Sequence, residues 1–291
     1  MDKDAELLTT REVAGLLRIK ERKVYDLVSA GAIPCVRVTG KLLFPRALLD
    51  AWLLRHSEHH EVARPLPNVM VGSHDPLLDW ALRESGAGLA SLFNGSLDGL
   101  ERLARGDAVA AGLHLIEGAA WNADHVRRRL AGEPVVLIEW ARREQGFIVP
   151  PGNPGRINDA ASLAGRRLIP RQREAGSTLL LQNLLEAAGL SIDALELTAP
   201  PARTEVDVAL AVADGKADVG LGLAAMARQF RLDFVPLVRE RYDLLVWRRA
   251  YFEPPLQRLL AFCRSAAFAA KAGDLGGYEV GANGTVHYNG P

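Results

Sequence analysis

From Asn68 onward the chain alternates short apolar strands with amphipathic helices over about 200 residues, and this alternation constrains the fold more than any other feature. Strands are expected at 68–72, Leu89–Phe93, Val109–Leu115, Val135–Trp140, Gly146–Val149, Asp218–Gly222, Phe234–Leu237 and Leu244–Trp247. Between them, helical spacing of apolar residues marks Asp75–Glu84, Ser96–Arg105, Ser177–Ala188, Val206–Asp214 and Pro254–Cys263. The pattern predicts an α/β fold with parallel or mixed sheets covered by helices. Residues 150–238 form a complete set of their own, opening at the turn Pro151-Gly-Asn-Pro-Gly155. The flanking stretches, 68–149 and 239–291, must then form a second set. A chain that leaves one lobe, builds another and returns gives a hinged two-lobed clamp. Its ligand is expected between the lobes, at strand C-termini and helix N-termini.

The chain has 291 residues, 48% of them hydrophobic, enough for a sizeable core and too many for a disordered or fibrous chain. No apolar run reaches the roughly 18 residues of a membrane helix, so no membrane partner is expected. The start, MDKDAELLTT, is polar and acidic, unlike a signal peptide. Cys35 and Cys263 stand far apart without metal-type spacing, so a reducing cytoplasm is expected. Net charge is zero, but residues 1–55 carry 10 basic against 7 acidic residues, leaving 25 against 28 in the remainder. A small basic head on a mildly acidic body suits a DNA reader joined to a sensor.

In that head, Thr9 and Glu12 have capping-box spacing ahead of Val13, Ala14, Leu16 and Leu17. After the break Arg18-Ile19-Lys20, a second helix runs from Glu21 to Ala30, with Val24, Leu27 and Val28 on one face. Gly31 stops it where a left-handed cap is wanted. Two short helices joined by a tight turn form a helix-turn-helix. Cys35–Val38, then Thr39-Gly40-Lys41, then Leu42–Phe44 reads as a hairpin wing, and Arg46–Leu54 as a third helix packing Leu49, Trp52 and Leu53 inward. The order and spacing of Glu12, Ala14, Leu17, Val24-Tyr25, Gly31, Pro34 and Trp52 resemble the excisionase-type, MerR-like winged helix-turn-helix. That resemblance implies binding to double-stranded DNA, with the second helix in the major groove. Lys20, Glu21, Arg22 and Lys23 lie where base readout is made, and Tyr25, Arg37 and Lys41 suit phosphate contact. A single short recognition helix reads few base pairs, so a homodimer is expected. The domain is placed at 1–57 and a linker at 58–67. The cluster His56, Glu58, His59, His60 and Glu61 at that linker reads as a solvated tether, not a metal site.

In the clamp, residues 68–291, hydroxyls and cations collect at predicted helix starts. Ser73 follows the first strand, Ser96 the second, and His114 ends the third. Arg171, Arg173, Ser177 and Thr178 lead into another helix. Such convergence suits a small anionic ligand. Ser96 and Ser177 also serve as plain N-caps in a purely structural reading. The segments EWARREQGFIVPPGNPGRI, PRQREAGSTLLLQNLLEAAGL and LDFVPLVRERYDL resemble the periplasmic-binding-protein-like domain that bacteria fuse to a helix-turn-helix, similar to molybdate- and tungstate-binding proteins. The resemblance implies an oxyanion effector, molybdate or tungstate, and no other cofactor. Here Glu174, Ala175 and Thr178 replace the Gly, Ser and Arg of the family's loop, each a change that weakens anion binding. The pair Gly220 and Gly222 lacks the third glycine of a dinucleotide loop. No nucleophile–base pair or metal motif is visible, so an enzyme is not expected. The chain reads as a one-component transcriptional regulator. Two alternatives stay open, an architectural excisionase-like protein and an enzyme acting on a small acid.

Overall fold

The computed structural model describes residues 7–38, 40–55, 65–118 and 120–291. Thr39 of the wing turn and the residues 56–64, including the whole cluster from His56 to Glu61, lie outside them. The chain divides into two compact units, Met1–Pro65 and Leu66–Pro291.

The first unit opens with β1 (Leu7–Thr9), α1 (Thr10–Leu17) and α2 (Glu21–Ser29). A hairpin of β2 (Val36–Val38) and β3 (Lys41–Pro45) follows, then α3 (Arg46–Arg55). The capping box forms: Thr9 caps the Glu12 amide, and the Glu12 carboxylate accepts from the Thr9 backbone. Gly31 takes φ +64°, where a side chain would be strained. β1, read as the lead-in to a helix, instead pairs antiparallel with β3 and makes the wing three-stranded. Leu8, Val13, Val24, Phe44 and Leu49 close a small core, onto which Trp52 packs.

In the second unit, β4 (Val69–Gly72), α4 (Pro76–Glu84), β5 (Ala90–Phe93), α5 (Ser96–Ala104) and β6 (Ala110–Leu113) form parallel βαβ units. A small hairpin of β7 (Ile116–Glu117) and β8 (Ala120–Trp121) and then α6 (Ala123–Arg129) lead to β9 (Val135–Val149). Next come β10 (Arg167–Ile169), α7 (Gly176–Ala187), β11 (Glu196–Leu197), α8 (Glu205–Ala213), β12 (Val219–Leu223) and α9 (Ala224–Gln229). β13 (Asp233–Trp247) returns, followed by α10 (Arg248–Tyr251), α11 (Pro254–Phe262), α12 (Ala266–Leu275), β14 (Tyr278–Glu279) and β15 (Val286–Asn289). The sheet order is β11-β10-β12-β9-β13-β6-β4-β5, with β14 and β15 also on β9.

The four strands expected around residues 135–149 and 233–247 are in fact two, each 15 residues long. They pair antiparallel along their whole length, with irregularities at Pro236/Val238 and Tyr242/Asp243. One end of this ribbon belongs to the lobe of β4–β6 and the other to the lobe of β10–β12, so the sheet is mixed. The ribbon's middle carries Arg143, Gln145, Glu240 and Tyr242, all buried. Those polar residues make the segment read as turns, yet they form the floor between the lobes. Gly220 and Gly222 lie inside β12, where a Cβ would meet Val208 and Ile148 at 2.4 and 2.8 Å, so they serve packing.

Candidate functional site

α2 buries Val24 and half-buries Leu27 and Val28, which turns its other face outward. Lys20, Glu21, Arg22, Lys23 and Tyr25 are exposed there, and Arg37 and Lys41 are exposed on the wing. All seven expected DNA contacts are therefore accessible. The amides of α2's first turn have no side-chain cap, which leaves donors of the kind that bind phosphate.

The floor of the clamp is a buried polar cluster. The Ser73 hydroxyl lies 2.8 Å from His114 Nε2, and His114 Nδ1 lies 2.9 Å from Glu240 Oε2. A carboxylate only accepts, so His114 Nδ1 donates to Glu240. Ser96 is not a cap: Gly95 holds that position, and the Ser96 hydroxyl accepts the His114 amide at 3.1 Å. The other Glu240 oxygen accepts from Arg143 Nε at 2.6 Å. Arg143 Nη1 reaches Asp75 at 2.8 Å, and the guanidinium stands 4.4 Å from the Tyr242 ring centre. Asp75 also accepts from the Leu78 amide, Trp140 and Tyr278. Burial alone would raise Glu240, but Arg143 and His114 outweigh it and hold the carboxyl below its usual range. Burial likewise opposes the Arg143 charge, and Glu240 and Asp75 overcome it and lock the charge in. Burial drives His74 below the usual imidazole range. Burial pushes the Tyr242 and Tyr278 hydroxyls up.

The facing lobe closes directly on this floor. The Leu97 amide donates to the Glu174 carbonyl at 3.0 Å, and Arg203 donates to the Asn94 side chain at 3.3 Å. Arg171 is nearly buried and ion-paired with Glu205, whose second oxygen has no donor. Ser177 is not a cap either: Ala175 is, and the buried Ser177 hydroxyl has no partner. Thr178 donates to the Gln172 carbonyl at 2.9 Å, and Arg173 is exposed. Arg143 Nη2 and both amide atoms of Gln145 also lack partners. Ser73, Ser96 and His114 thus converge in one lobe. Arg171, Arg173, Ser177 and Thr178 line a cavity of about 220 Å³ in the other. Gly176 joins the two groups: a Cβ there would sit 2.6 Å from the His114 carbonyl oxygen. Sequence reasoning missed Asp75, Arg143, Gln145, Glu205, Glu240 and Tyr278. The ribbon residues Arg143, Gln145 and Glu240 gave no periodic signal, because they lie in contiguous polar runs between apolar strand ends.

Residues 79–264 match the PBP superfamily domain. The chain belongs to this superfamily. Residues 7–57 match a helix-turn-helix domain. Over 96% of both chains the protein is 28% identical to the uncharacterized protein YvgK of Bacillus subtilis (strain 168). Among solved structures, a phosphate-bound, putative phosphate ABC transporter substrate-binding protein from Clostridium perfringens superposes with a TM-score of 0.51 at 12% identity, over 71% of this chain and 96% of that one. The regulatory domain of MetR, a LysR family regulator from N. meningitidis, gives 0.51 at 13% identity, over 72% and 96%. These structures share the fold. Among the described residues, no helix is long and apolar enough to cross a membrane, and no group of three or more His, Cys, Asp or Glu could hold a metal ion.

Proposed function

We propose that the protein is a cytoplasmic one-component transcriptional regulator. Its helix-turn-helix unit binds double-stranded DNA, as a homodimer, and its PBP-like unit binds a small effector that sets DNA affinity. The observation that carries this reading is the coexistence of two features in one chain. An exposed α2 face bears Arg22 and Lys23, and a two-lobed receptor keeps unpartnered polar atoms on Arg143, Gln145, Ser177 and Glu205 where its lobes meet. Buried polar atoms without partners are costly, and a bound molecule satisfies them. The likeness to a LysR regulator's regulatory domain supports the reading at the level of fold. Molybdate and tungstate remain candidate effectors to be included in any panel. Against them, Arg171 is already neutralised by Glu205, and the inner cluster sets the carboxylates of Asp75, Glu205 and Glu240 against only two guanidiniums. The test is selection from a random duplex library followed by mobility-shift titration. A recovered sequence bound at least 100-fold more tightly than the starting pool is expected; recovery of no preferred sequence would refute the reading.

A second reading, hydrolysis of a small acyl compound, has one observation in its favour. Ser73, His114 and Glu240 stand in the order and spacing of a nucleophile, base and orienting carboxylate. Ser73 is fully buried and the lobes are shut over it, so the hydroxyl is reachable only on opening. A fluorophosphonate probe that labels Ser73 in the wild type and not in Ser73→Ala supports this alternative. Absence of labelling, with and without effector, eliminates it.

A further inference from the structure

We propose that the effector is a small monocarboxylic acid with an apolar body, the body seated in the lobe of β10–β12 and the carboxylate at the N-terminus of α7, where that lobe meets the polar floor. The inference deepens the receptor reading and rests on it. The cavity of about 220 Å³ between α7 and the strands β10, β11 and β12 is built with two unlike ends. Its walls are Leu168, Leu181, Ile192 and Leu197. Arg171, Arg173, Ser177 and Thr178 gather at the N-terminus of α7, and Gln182 adds an amide farther along that helix. At the N-terminus the Ser177 hydroxyl is 98% buried and has no hydrogen-bond partner. Arg173 lines the same end and makes no hydrogen bond or ion pair among the described residues. The first-turn amides of α7, a 12-residue helix, receive no side-chain cap and face no acidic residue in that turn.

Of the other cations near that end, Arg171 is committed to Glu205, so the free positive charge at the cavity is that of Arg173. One guanidinium, one hydroxyl and a helix terminus match one carboxylate. A tetrahedral inorganic dianion would fill the polar end and leave the apolar walls wet, whereas a hydrocarbon body covers them. An apolar hole of about 150 Å³ accepts benzene, so this cavity suits an acid of benzoate or phenylacetate size. Occupying it places the carboxylate beside Gly176, which packs on His114, and so bears directly on how the lobes close.

The experiment is isothermal titration of the full chain with benzoate, phenylacetate and 4-methylpentanoate, against acetate, molybdate and tungstate, repeated with Arg173→Gln and Ser177→Ala. At least one apolar acid is expected to bind ten-fold or more tightly than acetate and than either oxyanion. Arg173→Gln is expected to weaken it about ten-fold or more without changing the unliganded melting temperature, because Arg173 is exposed and unpaired. Ser177→Ala should weaken it by a smaller factor. The proposal is overturned if no apolar acid binds better than acetate, if the oxyanions bind more tightly, or if Arg173→Gln leaves the preferred acid's affinity unchanged. Oxyanion binding together with sequence-preferring DNA binding would sink this inference and leave the regulator standing. Apolar-acid binding without DNA preference would do the reverse.

Discussion

Gly176→Ala should pry the lobes apart while improving the helix it sits in. In the closed unit the new Cβ would lie 2.6 Å from the His114 carbonyl oxygen and 3.0 Å from the imidazole ring. A comfortable carbon–oxygen contact is about 3.3–3.6 Å, so the backbone facing α7 must give by roughly 0.7–1 Å. Overpacking of that kind costs about 1–3 kcal/mol. Alanine gains about 1 kcal/mol over glycine in a helix interior and less at Gly176, the first residue of α7, in the open and the shut form alike. The helix gain therefore cancels in the open–shut balance, which moves toward open by about 1–3 kcal/mol, a factor of roughly 5 to 150. The readout is hydrogen exchange of the Leu97 amide, which donates across the lobes to Glu174 at 3.0 Å. Exchange in a peptide spanning Leu97 should accelerate by about that factor, with no change in the ribbon around Leu245. Unchanged exchange with a raised melting temperature would show that helix propensity alone is being read and that the lobes do not meet at Gly176.

Three further outcomes are expected. Arg143→Ala strands Glu240 and Asp75, both fully buried, and should cost about 3–5 kcal/mol, read as a melting-temperature drop of roughly 10 °C; a drop below about 3 °C would contradict the buried ion-pair account. Burial raises Asp243 to about 6 in the folded protein, against about 3.9 unfolded. Its contribution is then most favourable below about pH 4 and is lost as pH rises to 6. The stability difference between wild type and Asp243→Asn, measured by urea unfolding, should fall by about 2–3 kcal/mol between pH 4 and 6.5 and then level off, and a flat difference would refute the assignment. Arg22→Ala with Lys23→Ala should weaken DNA binding at least ten-fold and reduce its salt slope, leaving acid binding to the full chain unchanged; undiminished DNA binding would move the recognition surface elsewhere.

Legibility in the sequence followed how local each feature was. The Thr9–Glu12 box, the positive φ of Gly31 and the apolar faces of α1 and α2 depend on neighbours three or four residues away, and all are present. β1 was hidden because three residues carry no readable period and its partner, β3, lies over thirty residues on. The long ribbon was hidden by its own function. Alternation rules treat Arg142-Arg143-Glu144-Gln145 and Arg239-Glu240-Arg241 as solvated turns, but Arg143 and Glu240 find buried partners on other elements. Ser73, Ser96 and His114 were legible because helix starts after strands point to one place in an α/β sheet. Their roles were not, since a hydroxyl at a helix start reads as a cap until the actual cap residue is known. Glu205 lies one residue ahead of the helix expected at Val206–Asp214, and nothing local marks it as part of a site. Only the fold puts it beside Arg171 and removes the positive charge on which the oxyanion expectation leaned.

The central claim is a coupling between two sites, and coupling is reciprocal. The most direct measurement is a closed cycle: affinity for a selected duplex with and without saturating acid, by fluorescence anisotropy, and affinity for the acid with and without that duplex, by titration. The account predicts the same factor on both legs, about 5- to 150-fold. A factor of one on either leg would contradict it, because the receptor would then bind its ligand without informing the DNA reader.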